Sequence, residues 1–267
     1  MASKPQKPAV AEKANNLPRL MPISRHTLLS NGSTASHKRS HVPNHRHRGT
    51  ASLSLAQVTD LIEASEHAEK IGRPLNWFVT IHFERARLKD GVRSQEAIGT
   101  WLRLAGQWLR SKDKAITNTF VWVIEHAIGT GEHVHIMIHC PPAYHVDFKK
   151  KACGSWMAKA GMLPKSKDNS GIVIEKIGPR GYPSASRPDQ IQTYQNQLDG
   201  TIRYLIKGLD ENIGQENSEG KIVVTVPNGR TLAIAPNPSS AIFGRRCSRS
   251  QNISMKARQQ FGLAGGA

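Results

Sequence analysis

Residues 131 to 139 read GEHVHIMIH, and the side chains alternate in character along the run. On a strand, Val134, Ile136 and Ile138 point to one face, and His133, His135, Met137 and His139 to the other. Two imidazoles at i and i+2 on one strand face can bind a single metal ion. Far downstream, TIRYLIKGLD carries Tyr204 and Lys207 three residues apart, a spacing that puts both on one face of a helix. A phenol, with a pKa near 10, is a poor nucleophile at neutral pH. A metal that polarises a phosphodiester, and a lysine that stabilises developing charge, supply what such a tyrosine lacks. Together these groups would cut a nucleic-acid strand and keep the broken end on the tyrosine, so that it can be rejoined without ATP. The rival reading makes the histidines a solvated strand face, Tyr204 a half-buried helix residue and Lys207 a solvated charge.

A third ligand should come from the neighbouring strand. TFVWVIEHA (119–127) is joined to the histidine stretch by the turn signal GTGE, so the two read as an antiparallel hairpin. Glu125 lies eight residues before His133, a parity that can set its carboxylate beside the imidazoles. The register depends on the turn, which leaves His126 and Glu132 as alternatives. Imidazole plus carboxylate suits Mn²⁺, Zn²⁺ or Co²⁺, and Mg²⁺ when phosphate oxygens and water complete the shell.

The elements that must hold these residues are legible in outline. LAQVTDLIEASEHAEKIG (55–72) has helical spacing, NWFVTIHFE (76–84) is a strand, and SQEAIGTWLRLAGQWLRS (94–111) is a helix with Ser94 as its N-cap. After the hairpin come a basic helical segment (144–161), a strand GIVIEKI (171–177), a polar segment DQIQTYQNQLDG and then the tyrosine helix. KIVVTV and TLAIA are short strands around the PNGR turn. This order predicts an α+β domain with an antiparallel sheet of about five strands and packed helices.

Composition points to the partner. The 267 residues carry 37 Lys and Arg against 20 Asp and Glu, a net charge of +17, which favours a polyanion such as DNA or RNA. Residues 1–52 form a basic tail, rich in Pro, Ser, Asn and His, with little apolar pattern; HKRSHVPNHRHRG within it is a candidate phosphate contact. Residues 53–212 carry the catalytic pattern, and 213–267 read as a basic extension. Arg203, Arg245, Arg246 and Arg249 are candidate DNA contacts. Three cysteines match no disulfide framework or zinc module, and no apolar run or leader segment suggests a membrane, so a cytoplasmic bacterial protein is expected.

WFVTIHFE, EHAIGTGEHVHIMIHCP and IRYLIKG, in that order, resemble the three-motif series of the HUH-superfamily endonucleases, specifically rolling-circle replication initiators with a single YxxK tyrosine. The resemblance spans roughly residues 75 to 210. It implies a ferredoxin- or RRM-like antiparallel core, His133, His135 and Glu125 on a Mg²⁺ or Mn²⁺ ion, Tyr204 as nucleophile and Lys207 as its assistant. It also implies single-stranded or hairpin DNA at a replication origin as substrate, and a host helicase as partner, since no GxxxxGK[ST] is present. Single-tyrosine HUH transposases are the nearest enzymatic rival, and a non-enzymatic basic nucleic-acid-binding protein the other. A histidine-triad nucleotide hydrolase fits poorly, because Met137 stands where its nucleophile would be.

Overall fold

In the computed structural model the described residues are 49–264, apart from 180, 181, 183–186 and 238. The expected basic tail, with its HKRSHVPNHRHRG run, lies almost wholly outside them; of its residues, Thr50 bridges Ile242, and just beyond it Leu53 bridges Leu209. In chain order the elements are α1 (Leu55–Lys70), β1 (Trp77–His82), α2 (Ser94–Lys112), β2 (Phe120–Ala127), β3 (Gly131–Ile138), α3 (His145–Cys153), α4 (Ser155–Lys159), β4 (Ile172–Lys176) and α5 (Pro188–Leu205). Then follow β5 (Gln215–Glu216), β6 (Ile222–Thr225), β7 (Thr231–Ile234), β8 (Cys247–Arg249) and α6 (Met255–Ala264).

The protein is α+β. Its main sheet has five strands in the order β4-β1-β3-β2-β8, and every pairing is antiparallel. β3 is the central strand, which explains why both of its faces are buried even though the sequence alternates imidazole and aliphatic side chains. Val134, Ile136 and Ile138 pack, with Trp77, Val79 and Ile81 of β1, against Ile98, Trp101, Leu102 and Leu109 of α2 and against Phe148 and Trp156 of α3 and α4. Met137, Val121 and Val123 pack on the other face against Val58, Leu61 and Ile62 of α1 and Leu198 and Ile202 of α5. Burying a side chain of this size stabilises by about 1.5–3 kcal/mol, so the two clusters pin the register of β3 firmly. The functional face is therefore the one beneath α1 and α5.

The β2–β3 turn fixes the hairpin. Ala127 pairs with Gly131, and Gly131 has φ +66°, where a Cβ would collide with the Glu84 carboxyl. The positive φ favours glycine at this position.

Three local expectations change. Ser94 is the first residue of α2, and Arg93 is its cap without a side-chain bond; the capped helix is α1, where Ser54 and Gln57 form a reciprocal capping box. DQIQTYQNQLDG and the tyrosine segment form one helix that stops at Leu205, so Lys207 sits on the turn beyond it. Of residues 213–267, expected as an appended extension, the described ones belong to the same compact unit as the sheet: β8 completes the sheet beside β2, and α6 is held to α1 by Arg258 on Asp60 (2.9 Å) and Glu63 (3.1 Å). Three residues of strand carried too little pattern to be seen. No helix among the described residues is long and apolar enough to cross a membrane.

Candidate metal centre and tyrosine

The hairpin register sets Glu125 directly opposite His133 and Val123 opposite His135, so the carboxylate and both imidazoles project from one face. One donor atom from each of Glu125, His133 and His135 lies within 4.8 Å of the others, and all three residues are buried. Glu125 Oε2 is 3.4 Å from each Nε2 and 2.7 Å from Lys207 Nζ. The alternatives His126 and Glu132 pair with each other one step along the hairpin, which points them to the opposite face. Among the described residues no other set of His, Cys, Asp or Glu converges in this way.

The three side chains form a set that could hold a metal ion. His133 Nδ1 is 3.0 Å from the Gly131 carbonyl, and a carbonyl only accepts, so Nδ1 carries the proton. In a neutral ring Nε2 then presents a lone pair towards Glu125. His135 Nδ1 meets Thr80 Oγ1 at 2.9 Å, while its Nε2 faces Glu125 and, at 3.4 Å, Lys207 Nζ. Burial would push the Glu125 carboxyl up, but His133, His135 and Lys207 outweigh it and hold it well below the usual range. Burial, aided by Lys207 and His133 and opposed by Glu125, pushes His135 down to about 4, so it is neutral at pH 7. The His135–Glu125 contact is therefore no ion pair. Both Nε2 atoms and the carboxylate face one spot, and Glu125 Oε1 is buried without a hydrogen-bond partner. Such a set repels itself unless a cation sits among it; here that cation is the Lys207 ammonium. The donor set fits a divalent ion, with each imidazole oriented through its other nitrogen as metal-binding histidines are.

Tyr204, on the last turn of α5, is half exposed, with 48% of its surface open. Its ring meets His135 edge-on at 5.0 Å and Phe78 at 5.9 Å. Lys207 Nζ lies 3.6 Å from the Tyr204 ring centroid, so one ammonium touches the tyrosine, the carboxylate and an imidazole at once. The turn after α5 achieves what a continuous helix was expected to do. Tyr194, by contrast, is fully buried, stacks on Tyr182 at 4.3 Å and donates to the Leu75 carbonyl at 3.4 Å. Burial drives its hydroxyl well above the ordinary tyrosine range, which suits a core residue.

The arginines divide. Arg203 is exposed on α5 beside Tyr204. Arg245 is exposed on the α2 side of the sheet, lining a cavity with Gln95 and Ile98, away from the triad. Arg246 is 1% exposed and donates to the Thr50 and Ser240 carbonyls, and Arg249 pairs with Asp60 at 2.7 Å. Arg246 and Arg249 thus tie the fold together; a tally of basic residues carries no information on burial.

Strand β1 adds residues whose positions the sequence left open. Thr80 stands opposite His135 and His82 opposite His133, with the two rings 5.2 Å apart. His82 Nδ1 is buried without a partner, and burial, with His133 and Arg85, pushes the ring down to about 4. The alternation in FVTIHF was the available signal: once β1 is known to flank β3, Phe78, Thr80 and His82 share its functional face. His139 lies outside the site, buried with Nδ1 donating to the Pro74 carbonyl at 2.8 Å.

No protein-family model, curated protein or solved structure matches this chain.

Proposed function

We propose that this chain is a metal-dependent single-strand DNA nicking and strand-transfer enzyme of the HUH type, acting in rolling-circle replication of a plasmid, phage or integrated element. The observation that carries the reading is the convergence of Tyr204 with Glu125, His133, His135 and Lys207 on one face of the central sheet. Residues so far apart in sequence have no local reason to meet.

Glu125, His133 and His135 would hold Mn²⁺ or Mg²⁺, which when bound polarises the phosphate oxygens and lowers the barrier to in-line displacement. Tyr204, half exposed beside them, attacks the phosphorus of the scissile phosphodiester. The bond from phosphorus to the 3′ oxygen breaks and the bond to the phenolic oxygen forms. The phenolic proton ends on the released 3′ hydroxyl, and the 5′ end stays on the tyrosine. Lys207, 3.6 Å from the phenol ring, stabilises the phenolate character that builds during attack. Thr80 and the Gly131 carbonyl orient the two imidazoles. A free 3′ hydroxyl can reverse the step, because the ester is conserved. Arg203 and the positive charge of the chain draw in the phosphate backbone, which makes binding weaken steeply with salt.

The test is an incubation with single-stranded and hairpin oligonucleotides and Mn²⁺, followed by denaturing electrophoresis. Wild type gives a protein–DNA band that survives denaturation. Tyr204→Phe gives none while retaining oligonucleotide binding. Absence of the band in wild type on every substrate removes the reading.

A further inference from the structure

Tyr204 stands on the lip of a cavity of about 610 Å³ that runs from the triad between β1, β4 and α5. Its size falls in the range of sites that hold small ligands, about 300–1,000 Å³. Its apolar wall is Phe78, whose ring stacks parallel to that of His135 at 5.4 Å. Beyond Thr80 and the histidines, its polar lining is Glu175 on β4, opposite Phe78, with Lys176 after it, and Gln197 and Thr201 on α5.

Their bonding states leave a defined inventory. Gln197 Oε1 accepts from the Gly178 N–H at 2.6 Å, which turns the amide NH₂ into the free end. Thr201 donates to the Gln197 carbonyl at 2.7 Å and keeps its oxygen as an acceptor. Glu175 is exposed and, ionised, only accepts. Gly200, mid-helix in α5, also lines this cavity, and a Cβ there would meet nothing within 4 Å. Glycine is the poorest interior helix residue after proline, and no neighbour demands it here; what it leaves is room at the cavity wall. A carboxylate on a surface meant for phosphates is costly unless it reads a donor.

We infer that this cavity receives an unstacked guanine of the single strand next to the scissile phosphate, with Phe78 as the stacking platform, Glu175 accepting from N1–H and N2–H, and Gln197 Nε2 donating to a ring or carbonyl acceptor. Guanine is the one DNA base with two adjacent donors on its pairing edge, so it alone matches both carboxylate oxygens at once. Adenine and cytosine each set a ring acceptor against that carboxylate, and thymine offers a single N–H between two carbonyls. Stacking on an aromatic ring tolerates any base; the carboxylate supplies the choice, a bidentate charge-assisted pair. The inference rests on the DNA-nicking reading and specifies its substrate.

The experiment measures equilibrium binding of the full chain carrying Tyr204→Phe, in Mn²⁺, to eleven-residue oligothymidines with a central dG, dA, dC or dT. Such pairs discriminate by about 1–3 kcal/mol, so the dG probe should bind roughly tenfold tighter than the others. Glu175→Gln, an exposed change that leaves the fold standing, puts an amide with one acceptor and one donor in place of two acceptors. Every DNA base presents an adjacent donor and acceptor on its pairing edge, so the amide matches all four and the preference for dG should collapse. Gly200→Leu, which raises helix propensity, should narrow the cavity beside Phe78 and reduce the preference. Equal binding of all four probes, or a dG preference that survives Glu175→Gln, overturns the guanine site and leaves the nicking reading standing. Failure to bind any probe also overturns the guanine site, and the nicking reading is then decided by the adduct assay on hairpin substrates.

Discussion

Replacing Lys207 with methionine keeps the bulk of the aliphatic stem and removes the ammonium that neutralises Glu125. The pair is nearly closed to solvent, with 13% and 2% of the two side chains exposed and 2.7 Å between Nζ and Oε2. Coulomb attraction at that separation is about 6 kcal/mol at an effective dielectric of 20. Desolvation offsets part of it, and breaking a buried pair typically costs about 3–5 kcal/mol. The metal-free variant should therefore lose about 3 kcal/mol, a fall in Tm of roughly 6–12 °C for a chain of this size. A divalent ion should reverse the loss, because it supplies the missing charge; at a hundredfold excess over Kd it returns about 2.7 kcal/mol. In wild type the same ion has to displace the ammonium, so the variant should bind Mn²⁺ more tightly, by up to about a hundredfold, while nicking more slowly. Thermal melts with and without Mn²⁺, with calorimetric titration, read all three quantities. An unchanged metal-free Tm, or equal stabilisation of both proteins by Mn²⁺, would refute the claim that Lys207 occupies the cation position.

Glu125→Gln removes the charged ligand and should abolish Mn²⁺-dependent stabilisation, read as a Tm that no longer rises with metal. Arg246→Met leaves the Ser240 carbonyl without its arginine donor and the Thr50 carbonyl with the Ile242 N–H alone; it should cost about 1–3 kcal/mol in denaturant melts, yet leave oligonucleotide affinity per folded molecule unchanged. His139 titrates at about 4 because burial penalises its charged form, whereas an unfolded histidine titrates near 6.5. The unfolded chain thus binds this proton first, and stability falls as pH drops from about 6.5 towards 4, by about 3 kcal/mol in full. His139→Asn, which can still donate to Pro74, should flatten that slope by one proton.

The site was more legible than the frame around it. HVH gives parity, and parity on a strand fixes a face whatever the register. Glu125 followed because the loop between two strongly apolar strands is short enough for an eight-residue offset to bring it opposite His133. Thr80 and His82 required knowing that β1 lies beside β3, a pairing across which no short loop constrains the order. Lys207 was expected on a helix and reaches the site from a turn, because the helix signal of IRYLIKG does not say where the last hydrogen bond falls. Arg246 and Arg249 show the weakness of charge as a guide. Both sit in the stretch without a single acid, and both are spent on internal contacts that depend on long-range packing.

The central claim is that Tyr204 attacks a phosphodiester beside the Glu125, His133 and His135 centre. Its most direct measurement is peptide mapping by mass spectrometry after reaction with a cleavable single-stranded or hairpin oligonucleotide. The account predicts a 5′-phosphorylated nucleotide on the peptide containing Tyr204, formed with Mn²⁺ and lost with His133→Ala, His135→Ala or a chelator. A nucleotide on another residue, or an adduct that forms equally well with the triad removed, would contradict it.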